Sequence, residues 1–196
     1  MLRYIIIILT IGLLASCRPT TFTPKPTGYF RIDTPAKHEY QKFEKAEYPY
    51  SFEYPTYSRL EKDSLFFSEK AKNPYWLNIN VFPLGGTINL TYLSIASKEE
   101  YLKMVNDSYG LSAFHEKKAD YIHEEVYRNK YGVTGTIYTV GGNAASRIQF
   151  TATDSMHHFI RGALYFDVTP NADSLKPATD FLEQDINHFL ETIQFK

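Results

Sequence analysis

The chain has one cysteine, Cys17, so everything behind it must fold without an internal disulfide and be held by packing alone. That cysteine closes an N-terminal stretch reading Met1-Leu2-Arg3, then apolar residues from Tyr4 to Leu14, then Ala15-Ser16. A short basic start, a hydrophobic run and small residues before a cleavage point predict a signal peptide over residues 1–16. At ~1.5 Å per residue the run spans well under the ~30 Å hydrocarbon core, too short for a permanent membrane helix.

Leu14-Ala15-Ser16-Cys17 resembles the lipobox of bacterial lipoproteins, in which the thiol is diacylated before cleavage. On that resemblance Cys17 is the lipidation site and first mature residue, and the membrane is a partner through N-terminal acyl chains. Each buried methylene contributes ~0.8 kcal/mol, and more than one chain makes an anchor stable. A plain secretory peptide with an incidental cysteine is the competing reading. Residues 17–41 are expected to form a lipidated stalk, because Pro19, Pro24, Pro26 and Pro35 favour extended or polyproline II backbone. Tyr29, Phe30 and Ile32 stand among charges within it, where a solvated linker gains nothing from apolar side chains. Either they pack as an added edge strand on their own domain, or they form a partner-binding patch. Tyr29, Phe30 and Arg31 are the contact candidates, since amphipathic rings and guanidinium groups most often anchor interfaces. Acidic residues are absent between Cys17 and Ile32, so no local negative cluster marks surface display, and a periplasm-facing protein is expected.

Residues 42–196 read as a single α+β domain. Sixteen tyrosines, 14 phenylalanines and a tryptophan supply the bulk of a core in a chain whose folding buries roughly 70% of its surface. A net charge of -1 lacks the basic footprint that nucleic acid requires. Trp76–Phe82 alternates Leu77, Ile79 and Val81 with Asn78 and Asn80, the period of a half-buried strand. Four further strands are expected over 119–129, 131–140, 145–153 and 157–168, with turns at Gly141-Gly142-Asn143 and Asp154-Ser155-Met156. In the last hairpin, Ile148 and Phe150 share a face with Ile160 and Leu164 only across an odd-numbered loop. The same register gathers Arg147, Gln149 and Arg161 on the opposite face. Two amphipathic helices complete the reading. One, about Lys98–Ser112, carries Tyr101, Leu102, Val105 and Tyr109, with Ser97 and Glu100 as a capping box. The other, about Ser174–Ile193, stripes Leu175, Ala178, Leu182, Ile186, Phe189 and Ile193 on one face and is expected to be capped by Asp173 or Ser174. An antiparallel β-sheet packed with two such helices is an α+β sandwich.

Catalytic patterns are sparse, and no enzyme, metal or cofactor is expected. None of His38, His115, His123, His157, His158 and His188 has a zinc-ligand spacing, and adjacent His157 and His158 point to opposite faces of a strand. Asp154, Ser155 and His157 have the residue types of a hydrolase triad but crowd one tight turn. The paired carboxylates Glu99-Glu100 and Glu124-Glu125 read as solvated positions. Arg147 and Arg161 are the candidates for a small-ligand pocket between sheet and helix, which leaves a periplasmic carrier or sensor as the alternative function. Asp63-Ser64-Leu65, Asp154-Ser155-Met156 and Asp173-Ser174-Leu175 resemble the O-glycosylation acceptors of exported Bacteroidetes proteins, against a plainer reading as turns and caps.

The lipobox Cys17, the stalk Pro24-Lys25-Pro26-Thr27-Gly28-Tyr29-Phe30-Arg31-Ile32, Phe52-Glu53-Tyr54-Pro55, Ile148-Gln149-Phe150, Arg161-Gly162-Ala163-Leu164-Tyr165-Phe166 and Pro170-Asn171-Ala172-Asp173-Ser174-Leu175 together resemble the gliding motility lipoprotein GldD family of Bacteroidetes. The resemblance covers nearly the whole chain. It implies an envelope lipoprotein required for gliding, with proteins of the gliding and type IX secretion machinery as partners. The order of sheet and helices is also similar, more loosely, to PsbP-like proteins, which implies a binding or assembly role.

Overall fold

The computed structural model describes Arg3, Lys25 and residues 27–62, 65–66, 69–70, 73–113 and 119–196. Cys17, stalk residues 18–24 and 26, and the acceptor-like Ser64 lie outside the described residues. The chain divides into two units, Met1–Phe30 and Arg31–Lys196.

The second unit is α+β and antiparallel throughout. Its main sheet has seven strands in the order β3-β6-β7-β11-β10-β9-β8. In chain order these are β3 (Arg59–Lys62), β6 (Leu77–Val81), β7 (Gly86–Ser94), β8 (Ile122–Arg128), β9 (Thr134–Val140), β10 (Ser146–Thr153) and β11 (His158–Phe166). A three-stranded sheet joins β1 (Tyr40–Phe43), β2 (Tyr50–Pro55) and β12 (Gln194–Phe195), and a two-residue ribbon joins β4 (Leu65–Phe66) and β5 (Glu69–Lys70). The helices are α1 (Lys98–Ala113) and α2 (Ala172–Thr192).

The period-two pattern explains which face is dry. Leu77, Ile79, Val81, Ile88, Leu90, Ile148, Phe150, Ala152, Ile160 and Leu164 all enter one core cluster with Ala178, Leu182, Ile186 and Phe189 of α2. The small sheet closes that core with Tyr50 and Phe52, both essentially buried. The β10–β11 pairing runs Thr153↔Phe159, Ala152↔Ile160, Phe150↔Gly162. Its loop is odd-numbered, as the parity requires, but centred on Met156, one residue beyond Ser155, the centre of the expected turn. Gly162 faces Phe150 because the ring lies across it: an added Cβ would come within 2.0 Å of the ring.

Two expectations need correction. The cap of α2 is Asn171, whose side chain accepts from the Ser174 N–H at 2.9 Å, rather than Asp173 or Ser174. Asn171 holds the extended backbone that a cap needs, whereas Asp173 and Ser174 already lie inside the helix. In α1 the capping box forms, with Glu100 N–H donating to Ser97 Oγ and Glu100 Oε2 accepting from Ala96 N–H. Of the described side chains of α1, however, Ser108 is buried and Tyr101 and Met104 are half-buried, whereas Leu102, Val105 and Tyr109 are exposed. The helix touches the sheet along a narrower stripe than its apolar residues suggest.

The interior strand β7 alternates Ile88, Leu90 and Tyr92 with Thr87, Asn89 and Thr91 and bridges β6 to β11. The sequence reading does not assign it, because it opens on Gly85-Gly86, a turn signal. Asn78, Asn80, Thr87 and Asn89 form a polar ladder on the face away from α2, with Asn89 Nδ2 donating to Asn78 Oδ1 at 2.6 Å and Thr87 Oγ1 to Asn80 Oδ1 at 3.1 Å.

Candidate functional site: the stalk exit

Residues 27–39 carry no strand, so Tyr29, Phe30 and Ile32 do not form an added edge strand, and the edge strand β1 begins only at Tyr40, where the expected stalk ends. Phe30 is 99% exposed and Tyr29 45%. Arg31 Nε pairs with Asp33 Oδ1 at 2.9 Å, both side chains standing largely in solvent. Ile32 alone of the stalk's apolar trio packs against the core.

A few residues later the chain is clamped. Asp185, on α2 and 2% exposed, accepts three hydrogen bonds: from His38 Nδ1 at 2.7 Å, from the Tyr40 hydroxyl at 3.1 Å and from the Tyr57 hydroxyl at 2.6 Å. A buried carboxylate is tolerated only when paired and hydrogen-bonded in this way. The His38 ring stacks on Phe181 with centroids 4.1 Å apart, and Tyr40 stacks on His188 at 3.6 Å. His188 Nε2 in turn bonds Glu53 Oε2 at 2.7 Å, and Glu53 N–H donates to Thr192 Oγ1. Phe181, Asp185, His188 and Thr192 recur at helical spacing, so α2 presents two stripes, an apolar one to the large sheet and this polar-aromatic one to the stalk exit and β2. Burial, then the Asp185 charge and hydrogen bond, push the Tyr40 phenol well above its ordinary range, and burial followed by the Asp185 hydrogen bond does the same to Tyr57. Both therefore stay neutral donors.

Sequence reasoning missed this clasp. Its signal was present: Phe181, Asp185, His188 and Thr192 share a second stripe beside the apolar face built from Leu182, Ile186 and Phe189. The chemistry of two phenols and an imidazole converging on one carboxylate is that of a fastener. The nearby Ser58 hydroxyl is turned away, donating to the Pro55 carbonyl at 2.6 Å.

The other sequence candidates are dispersed. Arg147 Nη1 donates to the Ala172 carbonyl at 3.0 Å, and Arg161 Nη2 donates to Gln149 Oε1 at 2.5 Å, with burial lowering the Arg161 pKa. The observed register sets Gln149 opposite Ala163 and Arg161 opposite Thr151, so Arg161 reaches Gln149 diagonally on the shared face, while Arg147 finds its partner at the start of α2. A cleft of about 160 Å³ between α1 and the sheet is lined by Tyr101, Val105, Val126, Tyr138, Thr151 and Phe159 among others, and neither arginine lines it. His158 bonds the Tyr92 hydroxyl at 2.7 Å and stacks on Phe195, while His157 is exposed. Asp154 Oδ1 accepts from the N–H groups of Met156, His157 and His158, each at 2.9 Å. Burial raises its pKa, but those three bonds together bring it below the ordinary value. The triad-like residues are thus a turn. Among the described residues no group of three His, Cys, Asp or Glu side chains is placed to hold a metal.

The model of one protein family, described as gliding motility lipoprotein GldD, matches residues 19–195. No curated protein matches. Among solved structures the chain is similar to the solution structure of cyanobacterial PsbP (CyanoP) from Synechocystis sp. PCC 6803, at 9% identity and a TM-score of 0.47 over 85% of this chain and 98% of that one.

Proposed function

From the premise that this chain belongs to the gliding motility lipoprotein GldD family, we propose that it serves as a non-catalytic accessory or assembly component of the gliding and type IX secretion machinery. As a lipoprotein of that family it is held at the cell envelope by lipid. In this reading Cys17 carries the acyl chains, the body faces the periplasm, and Tyr29, Phe30 and Arg31 touch another protein of the machine. The observation that carries it is Phe30, an apolar ring 99% exposed eight residues before the clasp begins at His38. Leaving such a ring in water forgoes the ~2 kcal/mol or so that its burial would contribute, which is expected of a residue whose cover is a partner. The clasp then ties the stalk exit to α2, so that a contact made at the stalk is mechanically joined to the folded body.

Replacing Tyr29, Phe30 and Arg31 together by Ala in the native gene tests this. The expected strain makes normal amounts of membrane-retained, folded protein but spreads poorly on agar. Wild-type spreading by that strain removes the stalk from the mechanism.

A further inference from the structure

Strand β8 ends the seven-stranded sheet, and among the described residues no strand pairs with its outer edge. Its register with β9 reveals which backbone groups face outward. Gly141 N–H donates to the Tyr121 carbonyl and Asn129 N–H to the Val133 carbonyl, each at 2.9 Å. Between them the pairing runs without a shift from Ile122↔Val140 to Arg128↔Thr134. Antiparallel strands alternate bonded and non-bonded pairs, so odd-numbered residues turn their N–H and C=O to β9, and Ile122, Glu124, Val126 and Arg128 turn theirs outward. The strand is seven residues long, contains no proline or lysine, and exposes every side chain from His123 to Val126, the last at 80%. Such an edge is a template for another strand.

Its side chains choose the partner. With only even-numbered residues facing out, a second β8 related by a two-fold axis can bond only in registers that set even residues against even. Centring the axis on Glu124 opposes two glutamates, and centring it on Glu125 opposes two more; like charges directly across a ladder destabilise it. Centring it on Val126 instead sets valine against valine and places Glu124 opposite Arg128 twice. An axis there stands perpendicular to the sheet and keeps the same faces together. Val126 and Val105 of α1 line one cleft on that face, and α1 leaves Leu102, Val105 and Tyr109 exposed along one stripe. The two-fold brings the second copy's stripe to the same side, where each has apolar surface to offer the other. We infer that this chain forms a symmetric dimer in which β8 pairs antiparallel with β8 of a second copy about Val126, joining the two large sheets into one.

Sedimentation of the full chain in detergent over a concentration series tests the pairing. The expected result is a monomer–dimer equilibrium in which Glu124→Arg or Arg128→Glu alone weakens the dimer about tenfold, since each turns two attractive cross-strand pairs into repulsive ones. The double variant Glu124→Arg/Arg128→Glu restores the wild-type constant. Both side chains are exposed, so thermal melts of all three, taken at concentrations where the chain is monomeric, stay at the wild-type midpoint and report that folding is intact. A chain that remains monomeric throughout, single reversals that leave the dimer unchanged, or a double variant that fails to recover would each overturn the inference. The readout is mass, so the outcome is separate from the role assigned to the stalk.

Discussion

Replacing Asp185 by Ala removes a single acceptor on which His38, Tyr40 and Tyr57 converge. A hydrogen bond to a charged group contributes about 1.5–3 kcal/mol on its own, but three donors sharing one carboxylate do not add in full. The His38 side chain is 24% exposed and can turn to water, which lowers the cost further. Leaving a buried donor without its acceptor costs about 1–3 kcal/mol, so two phenols and a partly exposed imidazole losing one acceptor set an expected loss of about 3–5 kcal/mol. For a domain of this size each kcal/mol moves the melting midpoint by about 2–4 °C, so Asp185→Ala melts roughly 6–20 °C below wild type. Thermal circular dichroism measures this directly. Tyr57→Phe alone is expected to cost about 1 kcal/mol, and close to nothing once Asp185 is Ala, because its hydroxyl has then already lost its acceptor. Limited proteolysis adds a local readout, with cleavage between Arg31 and Tyr40 accelerating in Asp185→Ala. A stability within about 1 kcal/mol of wild type, with the stalk exit equally protected, refutes the clasp.

Gly135→Ala would set a Cβ 1.9 Å from the Thr151 carbonyl oxygen, where backbone cannot yield cheaply, so denaturant unfolding should show a loss of more than about 2 kcal/mol. Gly110→Ala in α1 meets nothing within 4 Å and should instead gain about 0.5–1 kcal/mol. Equal effects at both sites would contradict the β9–β10 packing. The phenols of Tyr40, Tyr50, Tyr57 and Tyr127 are all raised above 10.0, chiefly by burial. A folded-state pKa above the unfolded one contributes stability that is complete below pH 10 and lost as pH rises beyond it. Alkaline titration should therefore show these four phenolates only as the chain unfolds, and their reversible appearance with native circular dichroism intact would refute their burial.

Much of the fold was legible where one face of a strand is wet. Leu77–Val81 and the β10–β11 hairpin declare themselves by alternation, and parity alone placed Arg161 beside Gln149. Strand β2 carries the alternation of Tyr50, Phe52 and Tyr54 with Ser51 and Glu53, but it was not assigned, and its burial does not follow that alternation, since Ser51 is buried along with Tyr50 and Phe52. In α1, spacing identified the helix but could not say which of its apolar residues would meet the sheet, because that depends on how the helix is set down. The clasp is long-range: His38 and Asp185 lie 147 residues apart and only the tertiary fold brings them together. A carboxylate beside the apolar stripe of a helix, on a line with Phe181 and His188, is the local sign of such a site, and it names one partner without the others.

The central claim is that the exposed stalk residues work by touching another protein of the gliding machine. A photo-crosslinking amino acid at position 30 of the native protein, activated in intact gliding cells, measures that contact directly. The account predicts a discrete adduct with another envelope protein, lost when Tyr29 and Arg31 are changed to Ala. Cells that glide normally while position 30 yields no protein adduct would contradict it.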